Sequence, residues 1–374
     1  MIDKKISYKK KILINCINSH NYGGYAYWSG FVKSFKKNLL KTNNEYYFII
    51  NENSKIFKKI SLKKSIIVKN YIHENFLLRF LYEQIYIPIF IFKKYKFDIY
   101  FNAKNIAPIL IRKKSIIAIR NIEPFFYDTQ KTSLNKLISF LKFIFTIFSM
   151  RDCYKIISVS NNTKTIIKKY TKKKIFVIPN GVSVLSKYQN KWSRNNTKNY
   201  ILHASKFVPY ANQLKFLKIY KKAIIKNKDL PPLYFVGDIY DKIYFKKVCN
   251  FIQKNNLKNK IKFLGYLSKN KLHLKMTECK IFIFSSELES CPQTILEART
   301  IGCPILSTNI EPMPEFLEND ASYFNLNNIN KSSDLLISLI IRINKRKTLK
   351  NNFHMNRYNW RNIILKYFKV FEDF

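Results

Sequence analysis

The stretch Ile281-Phe282-Ile283-Phe284-Ser285-Ser286 decides the fold, together with Glu289-Ser290-Cys291-Pro292-Gln293-Thr294-Ile295-Leu296-Glu297 and Gly302-Cys303-Pro304-Ile305-Leu306-Ser307. An apolar run, a polar loop, a helical segment, a Gly-Pro turn and a second apolar run spell a βαβ unit, and therefore a parallel sheet. In open parallel sheets, ligands bind beyond the carboxyl ends of the strands. Glu289 then sits on a strand-end loop, and Glu297 about two turns into the following helix. An ionised carboxylate only accepts hydrogen bonds and grips two hydroxyls at once. The pair suits a ligand rich in hydroxyls, and the N–H groups at the helix start suit an anion. Two glutamates eight positions apart also arise on any solvated helix face, so the surrounding segments must carry the reading.

Outward from that core the same grammar repeats. Apolar runs at 11–17, 46–50, 65–68, 98–101, 115–119, 152–160 and 175–178 read as strands of a first domain. Runs at 200–204, 233–236 and 261–264 join 281–284 and 305–307 in a second. After the first strand, Asn18 to Gly24 leads into a helix through about residue 40. Gly23 and Gly24 read there either as a phosphate cradle at the helix start or as an ordinary βα turn. A helix beginning near Arg79 is expected to be interrupted at Pro88. Arg120 and Asn121 follow the 115–119 strand. Asn180-Gly181 reads as a tight turn. Residues 183–199 are polar and irregular and read as a linker.

The chain has 374 residues, which suggests about two domains, and at 47% hydrophobic it can fill two cores. Lysine and arginine total 68 against 23 acids, a net charge of +45 that calls for an anionic partner: nucleotide phosphate, membrane surface or nucleic acid. Inflated Lys, Ile, Asn, Phe and Tyr also fit a simple codon bias. No nucleic-acid motif accompanies the charge. The six cysteines suit neither a zinc site nor a disulfide framework and read as reduced thiols. The N-terminus runs from Met1-Ile2-Asp3-Lys4-Lys5 toward a strand, without the apolar core of a signal peptide. No run of 18 apolar residues marks a membrane span. Residues 134–150, broken by Lys142, read as a buried helix of the first domain, with a membrane-interface helix as the alternative. The basic cluster Lys168, Lys169, Lys172, Lys173 and Lys174 favours the alternative.

The E-x7-E spacing, with Ala298, Gly302, Pro304 and a following strand, resembles the signature of the retaining glycosyltransferases of family 4. The strings at 152–160 and 175–182, Gly237-Asp238, Phe263-Leu264-Gly265 and Asn359-Trp360 fall in family order, so the resemblance spans nearly the whole chain. It implies an α/β fold of GT-B type, two Rossmann-like domains facing a central cleft. The domains would be 1–182 for the acceptor and 200–355 for the nucleotide sugar, with a linker at 183–199 and a terminal helix at 356–374 returning to the first domain. It implies retaining transfer of a sugar from a nucleoside diphosphate to a glycan or lipid-linked acceptor in bacterial polysaccharide or lipopolysaccharide assembly. No cofactor and no metal are expected. The enzyme would be cytoplasmic, peripheral at the inner face of the membrane.

By the same resemblance Glu289, Asn121, Arg120 and Lys206 are the catalytic candidates. Gly23, Gly24, Glu297, Ser290, Cys291, Asn180 and Gly265 are the donor-binding ones. The sequence departs from the family twice. Arg120-Asn121 stands where many members have His-Asp, and Lys206 with Ala211 stands where Arg and Lys are usual. A catalytically silent sugar-nucleotide binder and a GT-B sugar-nucleotide epimerase remain alternatives. Neither the donor base nor the acceptor is written in any motif.

Overall fold

The computed structural model describes residues 9–17, 22–54, 56, 65–69, 71–72, 75–129, 133–345 and 355–372. Its contacts divide the chain into two units, Met1–Ser183 with Asn356–Phe374, and Val184–Met355. The expectations for Met1 to Lys5 and for Asn18 to Asn21 lie outside the described residues.

The first unit holds β1 (Lys11–Cys16), β2 (Glu45–Asn51), β3 (Ser65–Val68), β4 (Ile99–Asn102), β5 (Ser115–Ile119), β6 (Lys155–Ser158) and β7 (Ile175–Val177). They form one sheet in the order β3-β2-β1-β4-β5-β6-β7, every pair parallel. Helices α1 (Tyr22–Asn38), α2 (Phe76–Leu81), α3 (Ser133–Asp152) and α4 (Asn161–Lys168) connect them. The strands are near-continuous apolar runs because helices cover both faces. Successive side chains alternate between the two cores. Ile12 and Ile14 join Phe31, Phe101 and Tyr367, whereas Leu13 joins Ile49, Ile87 and Tyr100.

The C-terminal helix Trp360–Glu372 completes the first of these cores. Tyr27 donates its hydroxyl hydrogen to Tyr367 at 3.0 Å, and the Trp360 indole donates to Ser183 Oγ at 2.9 Å. A Cβ on Gly30 or on Gly181 would overlap that indole. Gly181 has no positive φ. It is there to let Trp360 approach the backbone, not to make the tight turn that the sequence suggests.

The second unit holds β8 (Ile201–Ala204), β9 (Leu233–Val236), β10 (Ile261–Phe263), β11 (Ile281–Phe284), β12 (Ile305–Thr308) and β13 (Ala321–Phe324). Their order is β10-β9-β8-β11-β12-β13, again all parallel. The helices are α5 (Gln213–Lys226), α6 (Lys242–Lys254), α7 (Lys269–Glu278), α8 (Gln293–Ile301), α9 (Met313–Leu317) and α10 (Ile329–Lys345). Both sheets therefore follow the Rossmann order, in which the direction of winding reverses beside the first strand. The reversal falls between β1 and β4 in one unit and between β8 and β11 in the other. The stretch from Val184 packs on this second unit. Val184, Tyr188 and Trp192 are buried, and the Trp192 indole donates to the Cys279 carbonyl at 2.8 Å.

Two local expectations are corrected. The chain does not break at Pro88; it continues from α2 as a π-helix, Tyr82–Lys93, with Pro88 inside. Proline has no N–H to give, and the wider i→i+5 winding carries the chain past it. Nor is α3 a buried helix. Its buried residues are Ser139, Thr146, Ser149 and Met150, while Leu134, Leu137, Ile138, Leu141 and Phe148 are exposed. The hydroxyls of Thr146 and Ser149 return to the helix's own carbonyls of Lys142 and Phe145, at 2.7 and 2.8 Å, so the small polar side packs inward without orphaned groups. At 20 residues and a mean hydropathy of 1.3, α3 is also longer than the 134–150 reading and meets the length and composition of a membrane span.

Candidate active site

In the second unit the switch point is stitched by short polar contacts. Ser285, just past β11, donates to the Ala211 carbonyl at 2.6 Å and lies 2.7 Å from His203 Nε2 at the end of β8. The Glu287 N–H donates to the Tyr210 carbonyl at 2.9 Å, and Thr308 Oγ1 to the Ser286 carbonyl at 2.7 Å. Three strand-end loops are thus tied together before any ligand arrives. Burial holds His203 well down, to about 3, so it is the neutral ring that takes part.

Glu289 lies on this loop, half-buried. Burial pushes its carboxyl up to about 7, while a hydrogen bond from Ser286 and the charge of Lys206 draw it back. Lys206 is exposed beyond β8, its ammonium 5.2 Å from the centre of the Tyr240 ring. Ala211 is buried and brings no cation. Ser290 is buried and Cys291 half-buried on the turn into α8. Because α8 starts at Gln293, Glu297 lies one turn in, not two. It is buried, ion-paired to Lys269, with His273 Nε2 at 3.4 Å from Oε2. Burial alone would raise the Glu297 carboxyl, but Lys269 and His273 outweigh it and hold the group below the ordinary range. Gly265 has φ +63° with open space where a Cβ would stand, a backbone that favours glycine on steric grounds alone. Lys269 and His273 are absent from the expected site. Their four-residue spacing places them on one face of α7 but does not point to Glu297.

The first unit has its own cavity of about 290 Å³. It opens at the carboxyl ends of β1 and β4, that unit's switch point, and is lined by Gly24, Trp28, Arg79, Asn102, Lys104 and Arg120. Gly23 and Gly24 lie inside the first turn of α1, not in the loop before it. Their N–H groups are among those a helix start leaves free. Arg120 lies on the Tyr27 ring, its guanidinium carbon 3.5 Å from the centroid, with a buried Nε that has no partner. Asn121 points elsewhere: exposed, its Oδ1 accepts the Glu123 N–H at 2.9 Å and closes a turn. Of that sequence pair, then, Arg120 reaches the cavity and Asn121 does not line it. Asn180 is buried with Oδ1 unpartnered. Among the described residues, no three His, Cys, Asp or Glu side chains gather as a metal-binding group.

Along its length the chain is similar to HepE of Anabaena, solved with UDP and glucose, with a TM-score of 0.70 at 14% identity over 98% of this chain and 100% of that one. At that identity the likeness is one of fold, and the fold is GT-B, the architecture of a large class of glycosyltransferases. Residues 186–355 match the family described as glycosyl transferases group 1. Among curated relatives it is 32% identical over 194 residues to the capsular polysaccharide biosynthesis glycosyltransferase CapH of Staphylococcus aureus, a match spanning 50% of each chain. It is 28% identical over 302 residues to the UDP-Gal:alpha-D-GlcNAc-diphosphoundecaprenol alpha-1,3-galactosyltransferase of Escherichia coli, covering 74% of this chain and 73% of that one.

Proposed function

We propose that this glycosyltransferase moves a sugar, with retention of anomeric configuration, from a nucleoside-diphosphate sugar to a lipid-linked glycan in bacterial surface polysaccharide assembly. The carrying observation is the second unit's switch point, where Glu289 and Glu297 stand on either side of the α8 N-terminus. Glu297 accepts the ribose hydroxyls, the N–H groups of Ser290 and Cys291 and the α8 start face phosphate and sugar, and Glu289 holds sugar hydroxyls. Lys206 offsets the charge of the leaving diphosphate. The bond from the anomeric carbon to the diphosphate oxygen breaks. The acceptor hydroxyl adds on the same face and passes its proton to that oxygen. The ligands named for HepE and for the Escherichia coli relative support a UDP-sugar donor.

The same proposal assigns the surplus basic charge to nucleotide phosphates and an anionic membrane rather than to nucleic acid. The exposed apolar side of α3 then lies in the membrane interface, beside the outer face of the π-helix, where Ile85, Ile89 and Phe90 are also exposed. Phe80 of α2, the helix that leads into the π-helix, meets Phe145 of α3, ring centroids 6.0 Å apart.

A second reading, a silent sugar-nucleotide binder, is favoured by the buried Ala211. Thermal shift and hydrolysis against UDP-, GDP-, ADP- and CMP-sugars, with Glu297→Ala alongside, separate them. One donor should stabilise the wild type, hydrolyse slowly, and do neither in the variant. Stabilisation without turnover in the presence of any acceptor selects the binder. No donor effect at all removes both readings.

A further inference from the structure

Cys279 and Cys303 meet in the interior of the second unit. Their sulfurs lie 3.3 Å apart, and both residues are buried. All six cysteines are free thiols in the structure; Cys16 and Cys153 belong to the first unit, and Cys249 and Cys291 are half-buried. The fold explains why these two meet. Cys279 stands two residues before β11 and Cys303 two before β12, neighbouring parallel strands. The Phe282 N–H donates to the Pro304 carbonyl at 2.8 Å, so the segments that carry the thiols run at strand spacing. That spacing, about 4.8 Å, falls within the Cα separations that a disulfide spans, about 4.4–6.8 Å. An S–S bond of about 2 Å needs the sulfurs to close by only about 1.3 Å. The other partner of each thiol is a nearby carbonyl, Met276 for Cys279 and Pro304 for Cys303, both at 3.5 Å. Such S–H bonds are weak and cost little to give up.

The ring that a bond here closes is the segment to which donor binding is assigned. Residues 279–303 carry β11, the Glu289 loop and α8 with Glu297. The thiols sit at the amino ends of the strands and the loop at the carboxyl ends, about 13 Å away at about 3.3 Å per residue. The stretch from Asn190 to Trp192 already ties the same two turns. The N–H groups of Asn190 and Trp192 donate to the carbonyls of Thr300 and Ile301 at 3.0 and 3.1 Å, and the Trp192 indole donates to that of Cys279. We infer that Cys279 and Cys303 are an oxidative cross-linking site, a pair that a peroxide converts to a disulfide closing this ring. One sulfur, as thiolate, attacks a peroxide oxygen. The O–O bond breaks, leaving a sulfenic acid and a hydroxide that takes up the thiol's proton to become water. The second sulfur attacks the sulfenic sulfur, the S–S bond forms, the S–O bond breaks, and a second water leaves with the second thiol's proton. The two sulfurs together give up the two electrons that the peroxide takes. Burial pushes the Cys303 thiol well up, so the thiolate is scarce and the step is slow, and a small oxidant is the one that reaches the pair. The product restricts the unfolded chain and stabilises the second unit.

In the test, the full-length chain is treated with hydrogen peroxide, denatured in N-ethylmaleimide, digested without reductant and mapped by mass spectrometry, with reduced protein alongside. Oxidation should join the peptides of Cys279 and Cys303, with neither residue carrying maleimide. The melting temperature should rise by at least about 5 °C and fall back on reduction with dithiothreitol. Cys303→Ser should give neither the joined peptide nor the rise. Recovery of both residues as maleimide adducts, while Cys249 or Cys291 is oxidised, would overturn the inference. So would a disulfide to either of those residues in place of this one, or a cross-link that leaves the melting temperature unchanged or lower. The wild-type peptide map is decisive even if the variant fails to fold. Neither readout needs a donor, so failure of the transferase reading and failure of the cross-link are told apart.

Discussion

Glu297 Oε2 lies 3.4 Å from His273 Nε2, with both side chains almost wholly buried, while Lys269 holds the same carboxylate from one turn earlier on α7. A buried carboxylate between two basic side chains is kept ionised and aimed. Glu297→Gln keeps the shape and removes the charge. Donor affinity should fall at least about tenfold, about 1.4 kcal/mol, while the melting temperature without donor moves by only a few degrees. Isothermal titration with the preferred nucleotide sugar reads the first quantity and calorimetric scanning the second. Unchanged affinity would remove Glu297 from the donor site.

The carboxyl of Glu289 titrates near neutrality, at about 7, because burial outweighs the help of Ser286 and Lys206. If the carboxylate form holds the sugar, kcat/KM should climb as pH rises through about 7. Glu289→Gln should lower the plateau and erase that limb. Lys206→Met removes a charge that draws the group down, so the limb should move to higher pH. A profile that keeps its limb in Glu289→Gln assigns the titration to another group.

The placement of Glu289 on the loop after β11 and of Glu297 inside α8 was legible because the strand, loop and helix follow one another locally in the sequence. The strands were legible for a similar reason: a parallel strand buried on both faces is an unbroken apolar run, as in Ser115–Ile119. The partners of those glutamates were not legible, since Lys269 and His273 meet Glu297 across 28 and 24 positions of chain that no local pattern spans. The cavity cations failed to show for the same reason. Arg79, Lys104 and Arg120 come from three separate segments that only the sheet order brings together. The burial of α3 was misread because apolar residues outnumber polar ones along it, whereas here the small hydroxyl side packs inward.

His203 and Glu289 respond to acid in opposite directions. His203 is held down to about 3 from 6.5, so below pH 6.5 the unfolded chain takes a proton that the fold refuses, and stability falls as pH drops toward 3. Glu289, held up from 4.5 to about 7, contributes stability that is full below pH 4.5 and lost as pH rises through 7. Between pH 4.5 and 6.5 the two slopes oppose, and below 4.5 that of His203 is no longer offset. His203→Asn should therefore reduce the loss of melting temperature between pH 6.5 and 4 relative to wild type. An identical slope in the variant would show that the ring is protonated in the fold.

Gly181 and Trp360 meet without room for a methyl group. Gly181→Ala should destabilise the first unit by about 1–3 kcal/mol, the usual cost of overpacking. Trp360→Ala should cost about 3–5 kcal/mol, because the indole also loses its bond to Ser183. Combined with Trp360→Ala, the Gly181→Ala penalty should largely vanish. Urea denaturation of the four proteins closes the cycle, and additive losses would place the strain elsewhere.

The exposed apolar side of α3 gives the membrane reading a direct test. Leu137 and Leu141 stand one turn apart on it, flanked by Lys136 and Lys142. Burying a leucine is worth about 1.5–3 kcal/mol, so Leu137→Asp with Leu141→Asp should lower partitioning onto vesicles by well over tenfold. Binding should strengthen when phosphatidylglycerol is added and weaken with salt, since headgroup attraction to lysine is screened over about 10 Å at 0.1 M. Thermal stabilisation by the soluble donor should be unchanged in the variant, because donor binding is assigned to the second unit. Sedimentation with neutral and anionic vesicles at two salt concentrations measures all of this. Equal partitioning of the wild type and the double variant would show that α3 does not meet the bilayer.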